Sequence, residues 1–65
     1  MHTYEVFVDM KECEQDNYSA CRVMETRYEI SAEAHTAAYD TALNQAGTEF
    51  PNAIEYDIRV TRILK

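Results

Sequence analysis

The chain has 65 residues, twelve acids against six bases, and a formal net charge of −6. That length allows one domain, residues 1–65, close to the lower limit for folding without staples. The acidic balance argues against nucleic acid as a direct partner, because like charges would meet, and no apolar run is long enough to span a membrane.

From Thr3 to Met10 the chain alternates. Tyr4, Val6, Val8 and Met10 point one way, and Thr3, Glu5, Phe7 and Asp9 the other, as in a half-buried strand. Lys11 to Tyr18 is polar and acidic without a period, which predicts a long, mobile hairpin loop with Tyr18 exposed at its end. Ser19 to Ile30 predicts a second strand, with Ala20, Met24, Thr26, Tyr28 and Ile30 on the core face. Cys21, Val23, Glu25, Arg27 and Glu29 take the opposite face.

Ser31 to Gly47 has helical spacing. Ser31 suits the N-cap, Glu33 suits the positive end of the helix dipole, and Gly47, the single glycine, suits a left-handed C′ residue. At 100° per residue Ala32, His35, Ala38, Tyr39, Ala42, Leu43 and Ala46 share a face, which makes His35 a core or boundary histidine. Proline biases Phe50 to an extended conformation. Ile54 to Leu64 then predicts a third strand, with Ile54, Tyr56, Ile58 and Val60 inward and Glu55, Asp57, Arg59 and Thr61 outward.

These elements define an α+β fold of order strand–strand–helix–strand. A hairpin is followed by a right-handed crossover, so that the third strand lies antiparallel beside the first. The expected sheet is three-stranded and antiparallel, in order 2-1-3, with the helix on one face. The expected core is Tyr4, Val6, Val8, Met24, Tyr28, Ile30, Ala38, Ala42, Leu43, Ile54, Tyr56, Ile58 and Val60.

No catalytic constellation is visible. No serine or cysteine has a recognisable base and orienting acid near it in sequence, and one glycine cannot make a phosphate loop. No cofactor and no metal are expected, since His2, His35, Cys13 and Cys21 lack ligand spacing. Cys13 and Cys21 could bridge a hairpin, but without a secretory profile the expectation is free thiols in the cytoplasm.

The sheet face left open carries Glu5, Glu25, Glu29, Glu55 and Asp57 with Arg27 and Arg59, and Phe7 and Val23 among them. One reading is a solvated face of cross-strand ion pairs. The other is a partner surface with Phe7 and Val23 at its centre. A monomer this small is marginal, so a homodimer through Phe7, Val23 or an unprotected edge strand is expected.

Two families share this order of elements. One is the small LX-type ribosomal protein of archaea, whose loops are basic. The other is the group of short T7-like podovirus proteins that inhibit bacterial RNA polymerase, which the stretch Tyr28-Glu29-Ile30-Ser31-Ala32-Glu33 through Ile58-Arg59-Val60-Thr61-Arg62 resembles. In that family an acidic strip and arginines of the last strand bind the jaw of the β′ subunit. The resemblance implies Arg62 as the contact arginine and Glu33 as an acid of the helix's first turn; Leu64 and Ala34 stand where the family has a second arginine and a second acid.

The expected function is that of an acidic, non-enzymatic phage protein inhibiting a host nucleic-acid machine, with CRISPR effectors and restriction enzymes in the same class of target. Its partner would be a basic surface of a host protein, contacted through Arg62, Arg59, Glu33, Glu55, Asp57, Phe7 and Val23. The alternative is a housekeeping homodimeric interaction module with no inhibitory role.

Overall fold

The computed structural model describes residues 1–14 and 17–65, and all of their side chains except those of 14 and 17–19. Strand β1 (His2–Glu14) is followed by β2 (Asn17–Ala32), helix α1 (His35–Glu49) and β3 (Ala53–Ile63). The sheet is antiparallel in order β2-β1-β3. The expected α+β architecture and strand order are therefore the observed ones.

The hairpin is far longer than its sequence suggests. Lys11 to Glu14, predicted as loop, continue β1, and their partners run back to Asn17 in β2. Only Gln15 and Asp16 lie between the strands, outside the described residues, and the side chain of Tyr18 is likewise not described. Ladder hydrogen bonds need no apolar alternation, so a polar segment can be strand wherever a partner lies beside it. Cys13 and Cys21 face each other in this register and form a disulfide, contrary to the free thiols expected. The molecule is accordingly elongated, 44 × 16 × 14 Å.

Both helix ends differ from the capping signals. Ser31 stays in β2, opposite Thr3, with the two hydroxyl oxygens 3.3 Å apart. Pairing with β1 holds it extended, so the N-cap falls on Ala34, which makes no side-chain cap, and no acid lies in the first turn. Glu33 thus precedes the helix. Gly47 lies inside α1 without a positive φ, and the C-cap is Phe50, whose N–H bonds to the Ala46 carbonyl. The chain needs no left-handed residue there because Phe50 leaves the helix at a negative φ, with φ −128° and ψ 66°, short of the extended conformation that the following proline favours. The Tyr56 hydroxyl then donates to the Phe50 carbonyl at 2.6 Å.

The core lies between α1 and one sheet face. Val6, Val8, Ala38, Ala42 and Ala46 are fully buried, joined by Tyr4, Met10, Tyr28, Ile30, Ala32 and Ile58. Alanine at every fourth residue gives the helix a narrow contact stripe and lets it approach the large side chains of the sheet closely. Tyr39 and Leu43, expected inside, lie at the flank of that stripe and stay 43% and 38% exposed. His35 opens the helix, exposed, with its ring 5.2 Å from that of Tyr4, and is not a core residue. The Tyr28 hydroxyl is buried without a partner in hydrogen-bonding geometry among the described residues. Burial first, and the Glu49 carboxylate second, push its pKa upward.

β3 carries two irregularities that alternation cannot reveal. The register passes from Glu55 opposite Lys11 to Ala53 opposite Glu12, and from Val60 opposite Val6 to Arg62 opposite Glu5. Ile54 and Thr61 are the extra residues. Ile54, expected in the core, is 55% exposed for this reason.

Candidate protein-binding face

The sheet face away from the helix is built in rows, because residues paired across antiparallel strands point to the same side. Arg27–Phe7–Arg59 forms one row, Glu25–Asp9–Asp57 the next, and Val23–Lys11–Glu55 the one after. The bulge at Thr61 brings Arg62 opposite Glu5, next to Glu29, in a further row. Without that extra residue, strict alternation would turn Arg62 to the helix side.

Glu5 is the hub of the face. Although 8% exposed, it is reached from both flanking strands. Thr61 donates at 2.8 Å, Arg27 lies at 2.9 Å, and the Nε of Arg62 donates at 3.2 Å. Arg27 also pairs with Glu29 at 3.0 Å. The Thr61 hydroxyl first, then the Arg27 guanidinium, hold the Glu5 carboxyl below its ordinary value of 4.5, against burial, which raises it.

A group whose folded pKa is depressed contributes stability that is present above its unfolded value and lost as the pH falls through the folded value. Glu5 should therefore contribute to acid unfolding below about pH 4.5. Denaturant titrations at pH 7 and pH 3 should show Glu5→Gln less stable than wild type at pH 7 and the gap narrowing at pH 3. Parallel pH profiles for the two proteins would contradict this role.

The remaining arginine of this face is also engaged. Arg59 reaches Asp9 at 3.1 Å and Glu25 at 3.3 Å, and its guanidinium lies 5.9 Å from the centre of the Phe7 ring. In the row of three carboxylates Arg59 thus bridges two, and Asp57 has no ion pair among the described residues. Glu55 has none either, although Lys11 is its register partner.

Of the residues expected to bind a partner, Val23, Glu55 and Asp57 meet around a shallow depression completed by Asp9, Met10, Lys11 and Tyr56. Val23 is 75% exposed there. Phe7 is not beside it, since the Glu25–Asp9–Asp57 row intervenes, so Phe7 and Val23 do not make one apolar centre. Arg59 and Arg62 lie on the same face, both tied to acids of the protein itself. Arg62 engages through Nε, leaving the outer edge of its guanidinium turned to solvent with the side chain 68% exposed. Glu33 is elsewhere. It follows Ala32, the register partner of His2, and so sits at the end of the sheet opposite to Glu55.

Alternation placed Glu5 and Arg27 on this face without distinguishing them from other charges. The hub role of Glu5 is completed by the Thr61 bulge, which adds Thr61 and Arg62 to Arg27 and for which the sequence carries no signal. Among the described residues no three His, Cys, Asp or Glu side chains converge as a metal site requires, and no helix is long and apolar enough to cross a membrane. No protein family, curated protein or solved structure matches this chain.

Proposed function

We propose that the protein is a non-enzymatic, acidic interaction module of phage origin that binds a basic surface of a host protein and inhibits a nucleic-acid machine. Bacterial RNA polymerase is the first target to test, on the resemblance of the second half of the chain; CRISPR effectors and restriction enzymes follow in the same class. The observation that carries this reading is the open sheet face, where Glu55 and Asp57 have no ion pair among the described residues in a chain of net charge −6. Such charges steer approach to a basic surface over long range and lose that effect in salt. The free edge of the Arg62 guanidinium supplies a planar fork for a carboxylate of the partner. The site of action in this reading is the host cytoplasm.

The test is association and dissociation of the immobilised protein with purified RNA polymerase at two salt concentrations. Glu55→Lys should slow association and flatten its salt dependence. Arg62→Ala should speed dissociation, with Arg62→Lys rescuing it incompletely. Should Arg62→Ala leave both rates unchanged and cost at most about 1 kcal/mol of stability, Arg62 serves only its pair with Glu5. Absence of binding to polymerase, CRISPR effectors and restriction enzymes alike at micromolar concentration would overturn the inhibitor reading.

A further inference from the structure

β3 is an edge strand, and its open side is charged in a self-complementary way. We propose that two copies of the chain pair through β3, antiparallel and centred on Ile58, extending the sheet from three strands to six. This assembly stands independently of any other partner.

A two-fold contact requires that when residue i meets j, j also meets i. Side chains directly opposite each other in antiparallel strands share a face, so the axis must pass through a residue if both helices are to lie on one side. With the axis at Ile58, Asp57 of each copy falls opposite Arg59 of the other, and Tyr56 opposite Val60. Asp57 is the carboxylate of its row that lacks an ion pair among the described residues, and this register supplies one twice. Neighbouring registers fail on charge. An axis at Asp57 sets two aspartates opposite, one at Arg59 sets two arginines opposite, and one at Tyr56 sets Glu55 against Asp57. An axis at Val60 runs into the bulge at Thr61.

The apolar surface favours the same edge. On the helix side, Tyr39 and Val60 line an open groove between α1 and β3. Leu43 lies one turn beyond Tyr39 on that flank of the helix. A second copy across the axis would bring its own Tyr39 and Leu43 towards these, with both helices on one face of the longer sheet. The β2 edge lacks this combination, since its outward carboxylates Glu25 and Glu29 both have ion-pair partners within the chain. The extra residues at Ile54 and Thr61 bound the regular part of β3, so the pairing is short and the dimer reversible.

The experiment is sedimentation velocity on the full chain over a range of loading concentrations, with far-UV circular dichroism to verify folding. Wild type should move from the 7.6 kDa monomer towards twice that mass as concentration rises. Asp57→Arg and Arg59→Asp should each weaken dimerisation by about tenfold or more, because each places like charges opposite twice. The D57R chain then presents two positive side chains at the seam and the R59D chain two negative ones, so an equimolar mixture should recover a heterodimer. Arg22→Glu, on the other edge and paired with Glu12 rather than with any residue of β3, should leave dimerisation unchanged. A wild-type protein that stays at 7.6 kDa up to about millimolar concentration would overturn the proposal, without recourse to any variant. So would a D57R protein that dimerises like wild type, or an R22E protein that alone loses the dimer.

Discussion

Replacing Ile58 with alanine should lower the stability of the domain by about 2–5 kcal/mol. Ile58 is 8% exposed, lies midway along β3 opposite Val8, and belongs to the cluster closed by the alanine stripe of α1. A helix that presents alanine has no long side chains to swing into the space vacated, so the cavity would persist rather than collapse. At a typical 0.05–0.15 kcal/mol per residue, a chain of this length has roughly 3–10 kcal/mol in total. The substitution therefore takes a large share of it, visible as a lower urea midpoint at low protein concentration. Ile54→Ala is the matched control. It lies four residues earlier and fits the same alternation, yet its exposure predicts a change within about 0.5 kcal/mol. Equal effects of the two substitutions would mean that the register irregularity in β3 is not where the structure places it.

The second large effect concerns the far end of the hairpin. Cys13 and Cys21 are eight residues apart in sequence and bridge β1 to β2. β3 pairs no further along β1 than Glu12, so the bridge clamps a two-stranded ribbon that has lost its third strand. Ribbons of two strands are marginal in water, and a closed loop of this length restricts the unfolded chain by about 2–3 kcal/mol. Cys13→Ser/Cys21→Ser, or wild type under reductant, should lose that amount in denaturant titrations. Hydrogen exchange should rise mainly at Lys11 to Glu14 and along their β2 partners, while Val6 and Val8 keep most of their protection. Unchanged stability on reduction would remove the clamp as a structural element. The bridge also bears on where the protein acts, because cytosolic thiols are mostly kept reduced. If the host cytoplasm is its site, the distal hairpin is the part whose order depends on redox state.

Much of the fold was legible in residue order. Alternation through Tyr4, Val6, Val8 and Met10, again through Tyr28 and Ile30, and again around Ile58, defined three strands and their inner faces. The spacing of Ala38, Ala42 and Ala46 defined the helix stripe. These signals survive because burial on one face imposes a period on the sequence itself. The order β2-β1-β3 followed from a hairpin and one crossover. The charge of the open face was likewise readable, and with it the class of partner proposed.

Tertiary pairing decided the rest. A cap is a contest between local hydrogen bonds and whatever the chain meets in space. Ser31 lost its cap because Thr3 lay opposite, and Gly47 entered the helix because nothing required it to leave. The polar stretch from Lys11 to Glu14 became strand because β2 ran beside it, and the same pairing brought Cys13 to Cys21. Bulges at Ile54 and Thr61 turned one isoleucine outward and carried Arg62 round to Glu5. None of these leaves a periodic trace, since each depends on residues that are distant in sequence and meet only once the sheet has formed.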